Sequence, residues 1–274
     1  KDLSKIILYQ GIFNLIFIIL TVPYFNIYAV LSVPALSAFL MSFYALKFTG
    51  IFFKFQVNKK ELIQILKISI PLSLPTLFYG LFKYVERGLI IGYLGLVSVG
   101  VFGFADTIVG IFITILIGSV MKVRGLAVFE SLAKGEYLKV HKMIIKETLI
   151  LVLISLIFVC CIFFTVSYLV PIFLPEWVQA IEITILFSFI LPIKIIGSYI
   201  AFVIRSPKVN KLKVEPILHL LSSFLLLLSF YFLKTSDQLN LYNFILIDLL
   251  VVLIFQILLI ICYYKFFYNK LVTI

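Results

Sequence analysis

Long, uninterrupted apolar runs are the feature that most restricts how this chain can fold. Several runs reach the roughly 20 residues that an α-helix needs to cross about 30 Å of hydrocarbon. Apolar and polar side chains do not alternate along them, which excludes a transmembrane β-barrel. Hydrophobic residues form 64% and charged residues 13% of the 274 residues, against about 45–50% and about 25% in soluble domains. We therefore predict an all-α membrane protein.

The runs divide the chain into about eight transmembrane helices. Loops rich in Lys and Arg stay on the cytoplasmic side, so the basic residues orient these helices. With both ends of the chain placed inside, all of the 23 Lys and Arg residues except Lys83, Arg87, Lys194 and Lys234 fall in cytoplasmic segments. The predicted spans are about Ile6–Phe25, Ile27–Leu46, Ile63–Ile91, Val99–Met121, Thr148–Val170, Ile181–Ile204, Pro216–Leu233 and Phe244–Tyr264.

The connections differ in length on the two sides of the membrane. The outer ones are short, including Gly92–Ser98, whereas the inner segment Lys122–Glu147 is the longest polar stretch. Its apolar residues Leu126, Phe129 and Leu132 recur at helical spacing between charges. This pattern predicts a surface helix that contacts anionic headgroups, with a partner-binding role as the alternative.

Charged residues inside the spans are the candidates for function, because each is costly unless it faces a partner or a water-filled cavity. A rise of about 1.5 Å per residue places Lys83 in the outer half of the third span. Glu86 and Arg87 share its helix face, and Asp106 lies at a similar depth on the next span. The alternative roles are an ion pair of Lys83 with Glu86 or Asp106, and snorkelling of Arg87 to the outer headgroups.

Lys194 lies near the midplane of the sixth span, where its side chain does not reach either surface. It lies between Pro192 and Gly197, where we expect the helix to bend. A cation at that depth should face a water-filled interior and suits an anionic substrate group. The alternative is an ion pair with Asp248, which otherwise is a rim residue near the outer end of the last span.

Prolines mark three further positions. Pro71 and Pro75 in the third span and Pro192 in the sixth each release a backbone carbonyl from the helix. Such breaks are tolerated where neighbouring helices or a cavity satisfy the backbone. We predict that these prolines are hinges, with a static kink as the alternative.

One stretch of about 45 residues, 67–110, resembles a known family. A proline-containing apolar opening leads to the pair Glu86-Arg87, then to G-Y-L-G at 92–95 and V-G-V-F at 99–102. This pattern is similar to the seventh and eighth helices of O-antigen flippases, also called polysaccharide biosynthesis proteins. Those proteins belong to the multidrug/oligosaccharidyl-lipid/polysaccharide exporter superfamily. The family often has Asp-Arg where this chain has Glu-Arg, and the rest of the chain matches only in the number and orientation of its spans.

The resemblance implies a fold of about 12 helices in two six-helix bundles around a V-shaped cavity. Residues 1–58 would be the last two helices of the first bundle, and residues 59–274 the six-helix second bundle. Four family helices would precede the first residue of this chain.

The resemblance also implies a function. The protein would be a flippase, not an enzyme, that moves undecaprenyl-pyrophosphate-linked oligosaccharide across the bacterial inner membrane for O-antigen and other polysaccharide synthesis. Membrane lipids and other polysaccharide-assembly proteins would be its partners, with no cofactor and no nucleic acid. Lys83, Arg87 and Lys194 are the candidates for the pyrophosphate and sugar; Glu86, Asp106 and Asp248 are candidates for ion coupling or ion pairing. The roles of Lys83 and Lys194 depend on membrane depth, since neither matches a family motif.

Three other functions remain open. A multidrug exporter of the same superfamily would favour an acidic cavity for cationic drugs. A polysaccharide polymerase or ligase would carry a large outer loop, whereas the longest outer connection here, Lys234–Asn243, is about ten residues. A structural membrane subunit would not need charged residues in its interior.

Overall fold

The computed structural model describes residues 59–205 and 213–268, and the shorter helical stretches 12–14, 16–17, 20–21, 24–25, 32–33 and 35–43. The described residues therefore cover the predicted spans Ile6–Phe25 and Ile27–Leu46 only in part. Contacts divide the chain into two compact units, Lys1–Ile63 and Gln64–Ile274. The candidate site lies wholly in the second unit, and the predicted division into bundles at residue 58 stays a prediction.

Helix α1, Lys59–Ile113, turns back on itself at Gly95. This glycine has φ 83° and ψ 175°, and it is where the helical backbone of α1 is interrupted. Across this break, Arg87 Nη2 lies 3.0 Å from Asp106 Oδ2. In a straight helix the 19 residues between them would separate them by about 28 Å. The helix is thus a hairpin of two limbs, 59–94 and 96–113, and its turn lies inside the predicted connection Gly92–Ser98.

The described chain continues as one helical element after another. A π-helical stretch, Thr114–Met121, leads into the short helix α2. The remaining elements are α2 (Lys122–Ala133), α3 (Tyr137–Phe173), a 3₁₀ turn (Pro175–Ala180), α4 (Ile181–Ser188), α5 (Ile190–Ile204), α6 (Val214–Thr235), α7 (Leu241–Tyr263) and a final π-helical stretch (Tyr264–Tyr268).

Five of the described helical segments are long and apolar enough to cross a membrane. The first of them, Ser73–Ile117, contains the Gly95 turn, and each of its two limbs is about the length of one crossing. The chain is therefore a multi-pass membrane protein, and its described part past residue 59 holds six helical segments of this length. This agrees with the six spans predicted from Ile63 onward.

The predicted surface segment Lys122–Glu147 is only partly a separate helix. Helix α2 ends at Ala133, and Gly135, with φ 80°, allows the chain to turn before α3 begins at Tyr137. Val128 and Leu132 of α2 are buried, whereas Leu126 is 63% exposed. Of the predicted apolar positions, Leu132 is buried with Val128 and Phe129 packs against the same core, while Leu126 faces outward. The contact of this helix with headgroups stays a prediction.

The break in the sixth predicted span precedes its proline. Helices α4 and α5 meet at Phe189, three residues before Pro192. A proline ring crowds the carbonyl four residues earlier, which is that of Ser188, the last residue of α4. The bend expected between Pro192 and Gly197 therefore lies on the other side of Pro192. Pro71 and Pro75, by contrast, lie in helical backbone.

Candidate functional site

A cavity of about 410 Å³ lies among α1, α5, α6 and α7. This volume is within the roughly 300–1,000 Å³ that small-molecule sites occupy. Lys83, Lys194, Arg205 and His219 bring four basic side chains to its wall. The other lining residues are Pro75, Thr76, Tyr79, Phe82, Ile113, Ile117, Ile190, Gly197, Ser198, Ala201, Phe202, Glu215, Ser222, Val252, Phe255, Gln256 and Leu259.

Lys83 connects the two limbs of the α1 hairpin. Its Nζ lies 2.6 Å from Glu86 Oε2 on its own limb and 3.5 Å from Asp106 Oδ1 on the other. The same Nζ lies 5.6 and 5.5 Å from the ring centroids of Phe102 and Phe187, within the distance of a cation–π contact. The alternative ion pairs considered for Lys83 are both present, and Lys83 lines the cavity as well.

Two carboxyl groups lie buried beside this lysine. Glu86 and Asp248 have no exposed surface, and the charge of Asp248 acts on both Lys83 and Glu86. The two carboxyl groups lie within hydrogen-bond reach of each other, and within the described residues Glu86 Oε1 and both Asp248 carboxylate oxygens meet no other donor. The interpretation of Asp248 as a rim residue is therefore wrong, because packing of α7 places it in the interior beside Glu86.

Lys194 is held against an aromatic ring rather than an acid. Its Nζ donates a 3.1 Å hydrogen bond to Tyr79 Oη and lies 5.4 Å from the centre of that ring. Among the described residues no salt bridge joins Lys194 to Asp248, the alternative partner. The lysine therefore presents a cation to the cavity beside a neutral phenol.

Arg87 lies apart from the cavity that Lys83 and Lys194 share. Its side chain is 54% exposed and pairs with Asp106. It lines a second pocket of about 490 Å³, next to the ring of Phe104, which stacks on Trp177 with centroids 5.1 Å apart. The structure thus brings Lys83 and Lys194 together at one cavity, and Arg87 is joined to Lys83 through Asp106.

Several residues at the cavity were not predicted from the sequence. Tyr79 precedes Lys83 by one helical turn, so the i,i+4 spacing predicts that the two side chains share one face of the helix. Arg205 directly follows α5, Glu215 lies in the first turn of α6, and the two side chains are hydrogen-bonded. The ring of His219 stacks on that of Phe255 in the cavity wall, with centroids 4.5 Å apart.

Gly197 determines how closely α5 and α7 approach each other. A Cβ atom at this position would lie 1.7 Å from Gln256 Oε1 and 3.0 Å from Leu259. Gly197 and Gln256 both line the cavity. The absence of a side chain at Gly197 therefore sets the shape of the cavity wall.

No protein-family model and no curated protein sequence matches the chain. In three dimensions it is similar to a solved structure described as the outward-facing conformation of a multidrug resistance MATE family transporter of the MOP superfamily. The TM-score is 0.73 at 14% sequence identity, and the match covers 94% of this chain and 61% of that chain. At this identity the likeness shows the fold alone.

The described chain thus shares the fold of that solved transporter over most of its length. It spans less than two thirds of the structure that it matches. The predicted fold class is confirmed, whereas the flippase family within the superfamily stays a prediction.

Proposed function

We propose that this multi-pass membrane protein moves lipid-linked oligosaccharides with a pyrophosphate group from the inner to the outer leaflet of a bacterial inner membrane. The observation that carries the proposal is the single cavity lined by Lys83 and Lys194. A pyrophosphate is a dense anion, and cationic donors hold it through charge-assisted hydrogen bonds. Cations at lipid depth are costly unless they face a partner or a water-filled cavity, and a hydrated cavity is also what a pyrophosphate headgroup needs.

Lys194 is the residue that we place against the pyrophosphate. Its partner Tyr79 fixes the ammonium group without neutralising it, so the positive charge stays available to a ligand. Lys83 has less of its positive charge available to a ligand, because its Nζ already pairs with the carboxylates of Glu86 and Asp106. On this proposal Lys83 supplies a second, shielded positive charge. Arg87 acts indirectly by holding Asp106 in place.

The cavity wall also suits a sugar. Aromatic rings of Tyr79, Phe202 and Phe255 line it together with the hydroxyl groups of Ser198 and Ser222. Flat aromatic faces and a few polar groups are the usual composition of small-molecule sites. The lipid tail would remain in the bilayer while the headgroup enters this cavity.

Coupling to an ion is the role that we propose for the buried acids. Glu86 and Asp248 are both fully buried and electrostatically linked, and they share Lys83 as a neighbouring cation. Buried carboxyl groups inside a membrane protein are typical of proton and ion pathways. Asp106, paired with both Lys83 and Arg87, would connect this pair to the hairpin.

Genetic complementation tests the proposal. The full-length gene should restore surface polysaccharide to a bacterial strain that lacks its O-antigen flippase. Lys194→Ala should abolish that restoration, whereas Lys194→Arg, which keeps the charge, should retain part of it. Membrane abundance of each variant is the control for folding. Restoration that survives Lys194→Ala would refute the role of this lysine, and no restoration by the normal gene would count against flipping.

Drug export is the second candidate, because the matched structure is described as a multidrug transporter. A cavity for cationic drugs would place its acids on the wall. Here Glu86 and Asp248 are buried behind the lining, and Glu215, the acid on the wall, is paired with Arg205. Drug export predicts that expression of the full-length gene raises resistance to cationic dyes, and that Lys194→Ala leaves this resistance unchanged.

A further inference from the structure

An ion pair closes the end of the cavity where α5 stops and α6 begins. Arg205 Nε donates a 2.6 Å hydrogen bond to Glu215 Oε2, and Arg205 Nη2 donates to Glu215 Oε1. The guanidinium group therefore binds the carboxylate through two hydrogen bonds, in a bidentate arrangement. Both residues line the same cavity as Lys194. Their position places a third strong cation at one end of the proposed substrate site.

The two partners differ in exposure. The Arg205 side chain is 39% exposed, whereas that of Glu215 is 6% exposed. The cation is thus the accessible half of the pair, and it can be solvated or take another partner. The carboxylate is the enclosed half, so it can change partner only among its immediate neighbours.

The geometry of this pair is also that of a phosphate site. A guanidinium fork binds carboxylate and phosphate oxygens with the same two-bond arrangement. The position that Glu215 occupies is therefore one that a phosphate group of a ligand in the cavity would take. An internal carboxylate in such a place competes with an incoming anion.

A replacement partner for Glu215 is already in position. His219 Nε2 lies 3.9 Å from Glu215 Oε1, one helical turn along α6. The His219 ring lies 5.6 Å from that of Tyr79, and Tyr79 accepts the hydrogen bond from Lys194. Polar and aromatic contacts thus run without interruption from the Arg205 end of the cavity to Lys194.

We propose that Arg205 is an anion-binding subsite for a phosphate or diphosphate group, and that Glu215 occupies the subsite while it is empty. The inference rests on the proposed function, in that it names the first contact of the headgroup. An arriving phosphate displaces the Glu215 carboxylate from Arg205, and His219 becomes the neighbour of the displaced carboxylate. The headgroup then passes along the wall toward Lys194.

Binding of inorganic pyrophosphate to the purified full-length protein tests this subsite, with affinity measured by isothermal titration calorimetry. Glu215→Gln removes the competing charge and should tighten binding roughly tenfold, the effect of one charge-assisted hydrogen bond at the lower end of its range. Adding Arg205→Gln to that variant should remove the whole gain. Arg205→Lys, which keeps the charge but not the fork, should give weaker binding than the normal protein.

Matched controls separate this effect from a general change in charge. Glu136→Gln removes the acid of an exposed pair with Lys139 outside the cavity and should leave the affinity unchanged. If Glu215→Gln is not obtained folded, Glu215→Asp shortens the acid and should tighten binding by a smaller factor. Unchanged affinity in the Glu215 variant that folds would overturn the proposal, as would a gain that persists without Arg205.

The result is independent of the complementation experiment. If pyrophosphate binds more tightly after Glu215→Gln while the gene does not replace a flippase, the subsite stands and serves another phosphate-bearing substrate. If the gene replaces a flippase and Glu215→Gln does not tighten pyrophosphate binding, the proposed flippase function is retained and the subsite is rejected. Arg205 would then only join α5 to α6 through its ion pair with Glu215.

Discussion

Removing the Lys83 ammonium group should destabilise the protein far more than removing an equivalent surface lysine. Lys83 and Glu86 form an i,i+3 pair at 2.6 Å, and Glu86 has no exposed surface. At an effective dielectric constant of about 20 this separation corresponds to an attraction of about 6 kcal/mol. Deleting one partner of a buried pair costs about 3–5 kcal/mol, because the other charge stays buried without compensation. We therefore expect Lys83→Met to lower the free energy of unfolding by about 3–5 kcal/mol.

The chain contains its own control. Lys139 and Glu136 form another i,i+3 pair at 2.9 Å, with side chains 62% and 39% exposed. Exposed pairs contribute about 0–1 kcal/mol, so Lys139→Met should have little effect. The double variant Lys83→Met with Glu86→Gln removes both charges and should recover at least half of the loss.

Unfolding in increasing SDS, followed by tryptophan fluorescence, measures these differences. Trp177 is the one tryptophan among these 274 residues, and it stacks on Phe104 in the hairpin that Lys83 joins. Its emission should therefore report loss of packing at this hairpin. The reasoning fails if Lys83→Met and Lys139→Met differ by less than about 1 kcal/mol, the contribution of an exposed pair.

Three further predictions concern the cavity wall, the break and the buried acids. Gly197→Ala should lower the free energy of unfolding by about 1–3 kcal/mol through overpacking, because the new methyl group meets Gln256. In the same SDS assay Gly110→Ala should be neutral or stabilising, since no atom lies within 4 Å of a Cβ there. Pro192→Ala should join α4 to α5 and slow transport without lowering stability. Amide hydrogen exchange at residues 188–192 and complementation check this, and transport at the normal rate through a joined helix would contradict it. Asp248→Asn should abolish any dependence of transport on a proton or Na⁺ gradient in proteoliposomes. Pyrophosphate binding should persist in this variant, because Asp248 is not on the cavity wall. An unaltered gradient dependence would exclude Asp248 from coupling.

Local spacing explains why much of the hairpin could be predicted. The G-Y-L-G segment at 92–95 contains Gly95, the glycine whose positive φ the turn requires. Lys83 and Glu86 are three residues apart on a helix, so their contact follows from helical geometry. Asp106 was placed level with Lys83 by counting residues from the turn, and the two side chains are indeed 3.5 Å apart.

Contacts between distant helices could not be predicted in the same way. The burial of Asp248 beside Glu86 depends on how α7 packs against the hairpin, which no local spacing records. Arg205 could be assigned only to a cytoplasmic segment, and its pairing with Glu215 could not be predicted, because it requires the end of α5 and the beginning of α6 to lie side by side. The break at Phe189 lies before Pro192 because a proline acts on the preceding turn.

Selective binding of the pyrophosphate headgroup is the most direct test of the account. Native mass spectrometry of the purified full-length protein compares undecaprenyl pyrophosphate with undecaprenol, which has the same tail and no phosphate. We predict preferential binding of the pyrophosphate lipid by about tenfold or more, from one or two charge-assisted hydrogen bonds, and a smaller preference in Lys194→Ala. Equal binding of the two lipids by the normal protein, or a preference that Lys194→Ala leaves unchanged, would contradict it.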